Sequence, residues 1–189
     1  MPVSKKRKLK NGRKASRNCH GHLSTFFMPQ WRIDRVKERF SDISLIAELK
    51  LGTGACNYHD VSLLRDVINA TAWVSMYRIH ITKDLNPDWL DANSKLFSEG
   101  QDAFQTFYER GCKKGAAKDP TIRFVASGDE FTKIKDVVAI GYDFVREMLE
   151  EKPLTFCKLF DAMKQWLGEK GFGRRGINED DILKIMQRI

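Results

Sequence analysis

Apolar residues recur at helical spacing from Pro29 to the end of the chain, and this pattern predicts five or six helices. Neighbouring apolar positions lie three or four residues apart, as they do on one face of an amphipathic helix. Glycine and proline interrupt the pattern at intervals, which is typical of helix ends. The predicted helices cover residues 30–50, 60–81, 86–110, 128–152 and 153–168, followed by a short helix capped by Asn178.

Several helix boundaries carry specific signals. Asn86 followed by Pro87 combines a capping side chain with proline at the first helical position. Ser127 and Glu130 have the spacing of a capping box, in which each side chain accepts a hydrogen bond from an unpaired backbone amide. Gly111 and Gly115 are expected to end the helix that Asn86 begins, since glycine commonly follows the last helical turn.

The first predicted helix has a weak point in its middle. Ile33, Val36 and Phe40 share one face, and Ser41-Asp42 is a possible break before the chain continues. After that break, the helical spacing of apolar residues continues with Ile43, Ile46 and Leu49.

The fold class follows from the near absence of strand patterns. Residues 121–125 are the single credible strand, and one strand cannot form a sheet, so this segment is interpreted as an extended linker. An aromatic series recurs at helical spacing and is assigned to the core rather than to base stacking: Trp89, Phe97, Phe104, Phe107 and Tyr108. The sequence therefore predicts an all-α, compact helical bundle of five or six helices.

The first part of the chain lacks this pattern. Residues 2–22 are mostly basic or small polar residues, and their few apolar residues are too scattered to form an apolar face. Such a segment cannot offset the entropy of ordering, so it is expected to be mobile. The predicted organisation is a basic N-terminal arm over residues 1–28 and a helical domain over residues 29–189.

The formal net charge of +8 is concentrated in this arm. Eight of the 33 Lys and Arg residues precede the first acid, Asp34, within residues 1–17, and the other 25 balance 25 Asp and Glu. Because nucleic-acid phosphates attract such a cluster, we interpret it as a contact for DNA or RNA. The eight candidate residues are Lys5, Lys6, Arg7, Lys8, Lys10, Arg13, Lys14 and Arg17. Alternatives are another polyanion, such as anionic lipid or an acidic protein, or a tail that only aids solubility.

Other features indicate where the protein is found. No apolar run is long enough to span a membrane or to serve as a secretory signal, and the four cysteines are spaced too widely for a small disulfide scaffold. The expected location is the cytoplasm of a bacterium, including association with the nucleoid, without membrane attachment. In a eukaryotic host, residues 5–8 would serve as a nuclear localisation signal.

Motifs of catalysis do not occur in a convincing setting. The chain has no GxSxG, P-loop or HExxH sequence, and GxGxxG at residues 171–176 follows a predicted helix instead of a strand. Cys112 and Cys157 lie near a helix end or among apolar residues and are interpreted as inert thiols. We therefore expect a protein that is not an enzyme and needs no cofactor.

A zinc site is the alternative that residue types suggest. Cys19 with His22 and Cys56 with His59 form two short pairs of residues that bind tetrahedral zinc. The 33 residues between the pairs include a predicted helix rather than a finger. The preferred interpretation is that these side chains belong to solvated loops and bind no metal.

The residues 2–8, Pro-Val-Ser-Lys-Lys-Arg-Lys, and the Leu-Gly-Thr-Gly at 51–54 before the Asp60 helix resemble small uncharacterised helical proteins of bacteria, phages and plasmids. The resemblance covers the arm and one helix junction. It implies a setting in a mobile genetic element and supplies no activity.

The sequence thus favours a non-enzymatic accessory or regulatory protein that binds nucleic acid through its arm. The alternative is a protein-interaction module, such as an inhibitor or assembly factor, in which the arm aids solubility or contacts an acidic partner. An exposed apolar patch on the domain would favour the alternative. DNA and RNA both fit, and the sequence is consistent with any oligomeric state.

Overall fold

The computed structural model describes residues 28–170 and 179–189, and these residues form a compact bundle of six helices. A short helical turn, Ile43–Leu45, and a π-helical segment, Ile46–Lys50, follow the first helix. A second π-helical segment, Arg78–Thr82, extends the second helix. This arrangement confirms the predicted all-α fold. The helices are α1 Gln30–Ser41, α2 Tyr58–Tyr77, α3 Pro87–Lys113, α4 Gly128–Glu151, α5 Pro153–Lys170 and α6 Glu179–Met186.

Side-chain caps define the beginnings of the long helices. Asn86 Oδ1 accepts a hydrogen bond from the Asp88 amide at 3.0 Å, with Pro87 at the first position of α3, as predicted. The predicted capping box of α4 is also present, since the Ser127 amide donates to Glu130 Oε2 at 2.8 Å. Each cap satisfies backbone amides that have no partner within the helix.

The start of α2 contains a capping box that the sequence analysis did not identify. The Asp60 amide donates to Asn57 Oδ1 at 2.9 Å, and the Asn57 amide donates to Asp60 Oδ2 at 3.0 Å. Asp60 is buried, and its other carboxylate oxygen accepts from Lys50 Nζ at 2.7 Å. The carboxylate of Asp60 thereby links the start of α2 to the preceding π segment.

Leu49, the last of the three apolar residues after the break, does not pack into the core. The helix does break at Ser41-Asp42, but the chain then winds as a π-helix, in which the Leu51 amide donates to the Ile46 carbonyl at 2.9 Å. This wider turn carries Leu51 over the core, whereas Leu49 is 57% exposed.

Of the two glycines predicted to end α3, Gly115 follows the helix end and Gly111 does not. The helix continues past Gly111 to Lys113, and the chain turns at Gly115, whose φ of +90° favours glycine. Gly111 lies inside the helix. Its position requires glycine because a Cβ there would overlap the ring of Phe124. Phe124 belongs to the predicted extended linker, and its amide donates to the Cys56 carbonyl at 2.9 Å. That pairing is the one strand-like bridge among the described residues.

The core lies around α4, which packs most extensively against α2 and α3. At one crossing, Gly141 of α4 lies directly against Thr71 of α2, so that a Cβ on Gly141 would overlap Thr71 Oγ1. The aromatic series on α3 also packs inward: Phe104 and Phe107 are buried, and Trp89 stacks on Phe144 with ring centroids 4.5 Å apart. The core assignment of this series is therefore confirmed.

One buried carboxylate joins three helices. Asp66 of α2 has a side chain that is 1% exposed. Arg39 of α1 donates to Asp66 Oδ2 through Nη2 at 2.6 Å and Nε at 3.1 Å. Lys164 of α5 donates to Asp66 Oδ1 at 3.0 Å. We call these residues the Asp66 hub. The carboxylate is paired from both sides, which is what a buried charge requires.

The close packing at Gly111 leads to a first prediction. Gly111→Ala should lower the free energy of unfolding by about 2–3 kcal/mol, because the added methyl group must displace the Phe124 ring. Gly168→Ala is the matched control, since a Cβ at Gly168 meets no atom within 4 Å. The control should stabilise by about 0.5–1 kcal/mol through reduced chain entropy. Urea unfolding followed by circular dichroism measures both, and equal effects would contradict the packing at Gly111.

The Asp66 hub leads to a second prediction. Asp66→Asn should destabilise the fold by about 3 kcal/mol, because it removes the charge that faces Arg39 and Lys164. Asp161→Asn is the control because it breaks another arginine–aspartate pair, Arg32–Asp161 at 2.7 Å, which is partly exposed. Such exposed pairs contribute less than about 1 kcal/mol. Urea unfolding compares the two, and a loss of similar size for both would show that burial of Asp66 does not determine the effect.

Candidate functional site

The eight basic residues predicted to bind nucleic acid lie outside the described residues, which begin at Met28. The structure does describe the segment to which the arm connects. Pro29 has an extended backbone and precedes the first turn of α1. Gln30 to Ser41 then form a helix whose buried residues are Ile33 and Phe40. The residues on the opposite face of α1 form the candidate functional site.

Trp31 is the most prominent residue on the outer face of α1. Its side chain is 62% exposed, which is the largest value among the exposed large hydrophobic residues of the described chain. Arg35 follows one turn later on the same face and is also exposed. The sequence analysis did not single out Trp31. Its position off the Ile33–Phe40 apolar stripe would have indicated exposure.

The cations of α1 divide into paired and unpaired groups. Arg32 Nη2 donates to Asp161 Oδ2 on α5 at 2.7 Å, and Arg39 belongs to the Asp66 hub. Arg35 and Lys37 are exposed, and no ion pair links them to another described residue. The paired cations hold α1 on the bundle, while Arg35 and Lys37 are available to an anionic ligand.

A second basic surface occurs where α3 ends. Within residues 113–123 four exposed cations accompany a single acid, Asp119, and we call these four the α3-end cluster. Asp119 accepts hydrogen bonds from Thr121, which lower the pKa of its carboxyl group. This cluster was not predicted, because its charge is balanced by acids elsewhere when the charges of the whole domain are summed. Its members are Lys113, Lys114, Lys118 and Arg123.

The structure describes two of the four proposed zinc ligands. Cys19 and His22 lie outside the described residues, Cys56 is buried and His59 is exposed. Burial raises the pKa of the Cys56 thiol to about 12, and Asp60 contributes to the increase. Zinc binds the thiolate, so this environment disfavours a ligand role for Cys56. Among the described residues, no three His, Cys, Asp or Glu side chains form a metal-binding group.

The other described thiols differ in accessibility. Cys157 is buried, and burial together with Asp161 raises its pKa to about 11. Cys112 is half-buried. It forms a hydrogen bond with Tyr108, whose pKa is raised by burial and by hydrogen bonds to Tyr58 and Cys112. None of these features supplies an activated thiolate, whose pKa would be lowered.

A groove of about 340 Å³ separates α1 from α4. Its apolar lining includes Phe40, Tyr142 and Leu149, while Lys37 and Arg146 add positive charge. None of the described histidines and cysteines lines it. The GxGxxG sequence at 171–176 lies outside the described residues, so the structure does not place it relative to this groove.

The chain matches no family model, no curated protein and no solved structure. Within residues 28–170 and 179–189, no helix has the length and apolar character needed to cross a membrane. Functional inference therefore depends on the residues themselves.

The thiol environments lead to a third prediction. With a pKa of about 12, Cys56 is thiolate in about one molecule in ten thousand at pH 8, so iodoacetamide should leave it unmodified in the native protein. Cys157 should be protected as well, whereas the partly exposed Cys112 should react. Peptide mass mapping after brief alkylation measures this. Guanidinium-unfolded protein provides the positive control.

The same experiment tests the zinc alternative. Alkylation of Cys56 should be equally slow with and without a chelator, because its protection comes from burial. An increase at both Cys19 and Cys56 on adding the chelator would instead indicate that metal occupies the predicted ligands.

Proposed function

We propose that the protein is a non-enzymatic accessory or regulatory protein that binds DNA or RNA through the phosphates, using its basic arm. The observation that carries the proposal is the location of the net charge. Eight cations lie within residues 5–17, and the rest of the chain is formally neutral. Attraction to a polyanion therefore comes from one short segment.

The domain's own charges support this division. Several of its half-buried cations are used in ion pairs, such as Arg78 with Glu147 at 2.9 Å and Arg110 with Glu130. These pairs stabilise the bundle, and the domain as a whole carries no net excess of positive charge. Arg35 and Lys37 on α1 are the exposed cations nearest in sequence to the arm. A polyanion held by the arm would meet them next.

The arm is long enough to contact a polymeric ligand beyond the area that the domain itself can cover. A fully extended chain spans about 3.3–3.6 Å per residue, so residues 1–22 could reach about 70 Å. Phosphate contacts of this kind give affinity without sequence information. We therefore propose weak binding with little sequence preference. A setting in a mobile genetic element fits such a protein, and its proposed location is the bacterial cytoplasm.

An exposed apolar patch favours the second candidate, a protein-interaction module. Leu45 and Leu49 are neighbours on one helical face and are 51% and 57% exposed. Val125 is 54% exposed and lies against the turn that follows Leu49. A Cβ on Gly54 in that turn would lie 3.3 Å from Val125 Cγ2. Patches of this kind mark contacts with partner proteins.

The fourth prediction separates arm charge from total charge. Changing residues 5–8 to Ala should reduce the slope of log nucleic-acid affinity against log salt by roughly half, because each phosphate contact releases counterions independently. Changing the α3-end cluster to Ala removes four charges as well, yet should leave the slope nearly unaltered. The measurement is fluorescence anisotropy with labelled DNA and RNA at several salt concentrations. Wild-type protein should give a slope of log affinity against log salt of about −4 to −7.

Two results would overturn this proposal. Equal losses in the two variants would show that any four charges serve and that the arm has no special role. Absence of affinity for DNA and RNA at about 50 mM salt would favour the protein-interaction module. Circular dichroism of both variants controls for unfolding.

A further inference from the structure

Trp31 differs from the other three tryptophans of the chain in its surroundings. Trp73 is 5% exposed and packs edge-on against Trp166, and Trp89 stacks on Phe144. Trp31 is 62% exposed and does not pack on the core, and no other described residue forms a ring contact with it. The fold therefore does not account for an indole at this position.

Exposure of Trp31 leaves a large apolar surface in water. A tryptophan side chain can bury 150–250 Å² on contact with a partner, so its coverage by a ligand is strongly favourable. Helix formation does not explain the choice, because tryptophan has only intermediate helix propensity. A flat aromatic face in the first turn of α1 is suited to a ligand that itself has flat faces.

Charge near Trp31 indicates which ligand that is. Arg35 lies one turn away on the same helical face, where side chains at this spacing are neighbours. The face also carries Asp34, which accepts from Gln30 Nε2 at 2.9 Å, and the exposed Glu38. These two acids outnumber Arg35, so this face is not positively charged by itself. The excess positive charge comes from the arm, whose last basic residue, Arg17, precedes Trp31 in the chain.

An aromatic face beside cations is the arrangement by which proteins bind single-stranded nucleic acid. Cations contact the backbone, and each base stacks on an aromatic ring whatever its sequence. In a duplex the base faces are already stacked on one another, so a surface tryptophan has no face to contact.

We infer that Trp31 is a base-stacking residue and that the ligand of this protein is single-stranded nucleic acid. This inference rests on the proposed function, because the arm supplies the attraction to phosphate. It adds the class of polymer: the arm binds phosphates of any strand, and Trp31 discriminates in favour of unpaired bases.

The test compares single-stranded and duplex oligonucleotides of about 16 nucleotides at one salt concentration. Trp31→Ala should weaken binding of the single strand by about 5- to 150-fold, the range for loss of one stacked base. Duplex affinity should change by less than roughly twofold, since phosphate contacts are retained. Trp31→Phe should recover part of the loss. Leu49→Ala, which also shortens an exposed apolar side chain, is the matched control and should alter neither affinity.

Intrinsic fluorescence gives an independent readout. Stacking should quench the emission of exposed Trp31 when the single strand is added to wild-type protein, and duplex should quench much less. Trp31→Phe should abolish this quenching, because the remaining tryptophans pack within the bundle. Circular dichroism shows whether the variants remain folded.

Each other result has a defined meaning. If wild-type protein binds both polymers and Trp31→Ala leaves both affinities unchanged, or lowers them equally, the stacking role is wrong while the arm proposal stands. If neither polymer binds at about 50 mM salt, the proposed function fails and this inference fails with it. If wild-type protein self-associates in sedimentation velocity and Trp31→Ala does not, a second copy covers Trp31 and the inference is overturned.

Discussion

The Asp66 hub is the interaction on which the arrangement of the helices depends. A carboxylate that is 1% exposed cannot remain charged without partners, and its partners come from α1 and α5. The side chain of Arg39 is therefore held in one orientation. This contact orients α1, which packs less extensively on the other helices than α4 does. Phe40, the next residue, packs against Phe156 and Phe160 of α5. A polar contact and an apolar contact on adjacent residues thus set the same helix position.

Orientation of α1 determines what the helix presents to solvent. With Arg39 and Phe40 directed inward, and Arg32 paired to Asp161, the face that carries Trp31 and Arg35 must point away from the bundle. The same helix thus has a side fixed by ion pairs and a side left open. Arm and open face are consecutive in the chain, so a ligand can contact both without any rearrangement of the core.

Sequence patterns predicted helix boundaries correctly where a local capping residue determines the boundary. The caps at Asn86 and Ser127 follow from local hydrogen bonding, and the structure contains both. Gly111 and Leu49 depend on tertiary contacts instead. A glycine that ends a helix and a glycine that admits Phe124 look identical in a sequence, and the π turn that exposes Leu49 has no signature in the apolar spacing.

The candidate site was less predictable than the fold. The arm was evident from composition alone, because clustered charge needs no fold to be recognised. Trp31 was overlooked because aromatic residues in a helical pattern usually pack inward, and only Ile33 and Phe40 define which face that is. Pairing is likewise invisible: Arg32 and Arg35 are the same residue type, yet Asp161 neutralises only the first.

The contact between Gly141 and Thr71 has a mechanical consequence. Where two helices meet at a glycine, the backbone of one lies against a side chain of the other, and a sliding movement would bring bulkier neighbours into the gap. Thr71 is itself anchored, since its hydroxyl donates to the Val67 carbonyl at 2.8 Å. The α2–α4 pair should therefore resist shear and move as one body. Any bending of the bundle under load is then confined to the joints between helices, such as the turn at Ser41-Asp42 and the connection between α3 and α4.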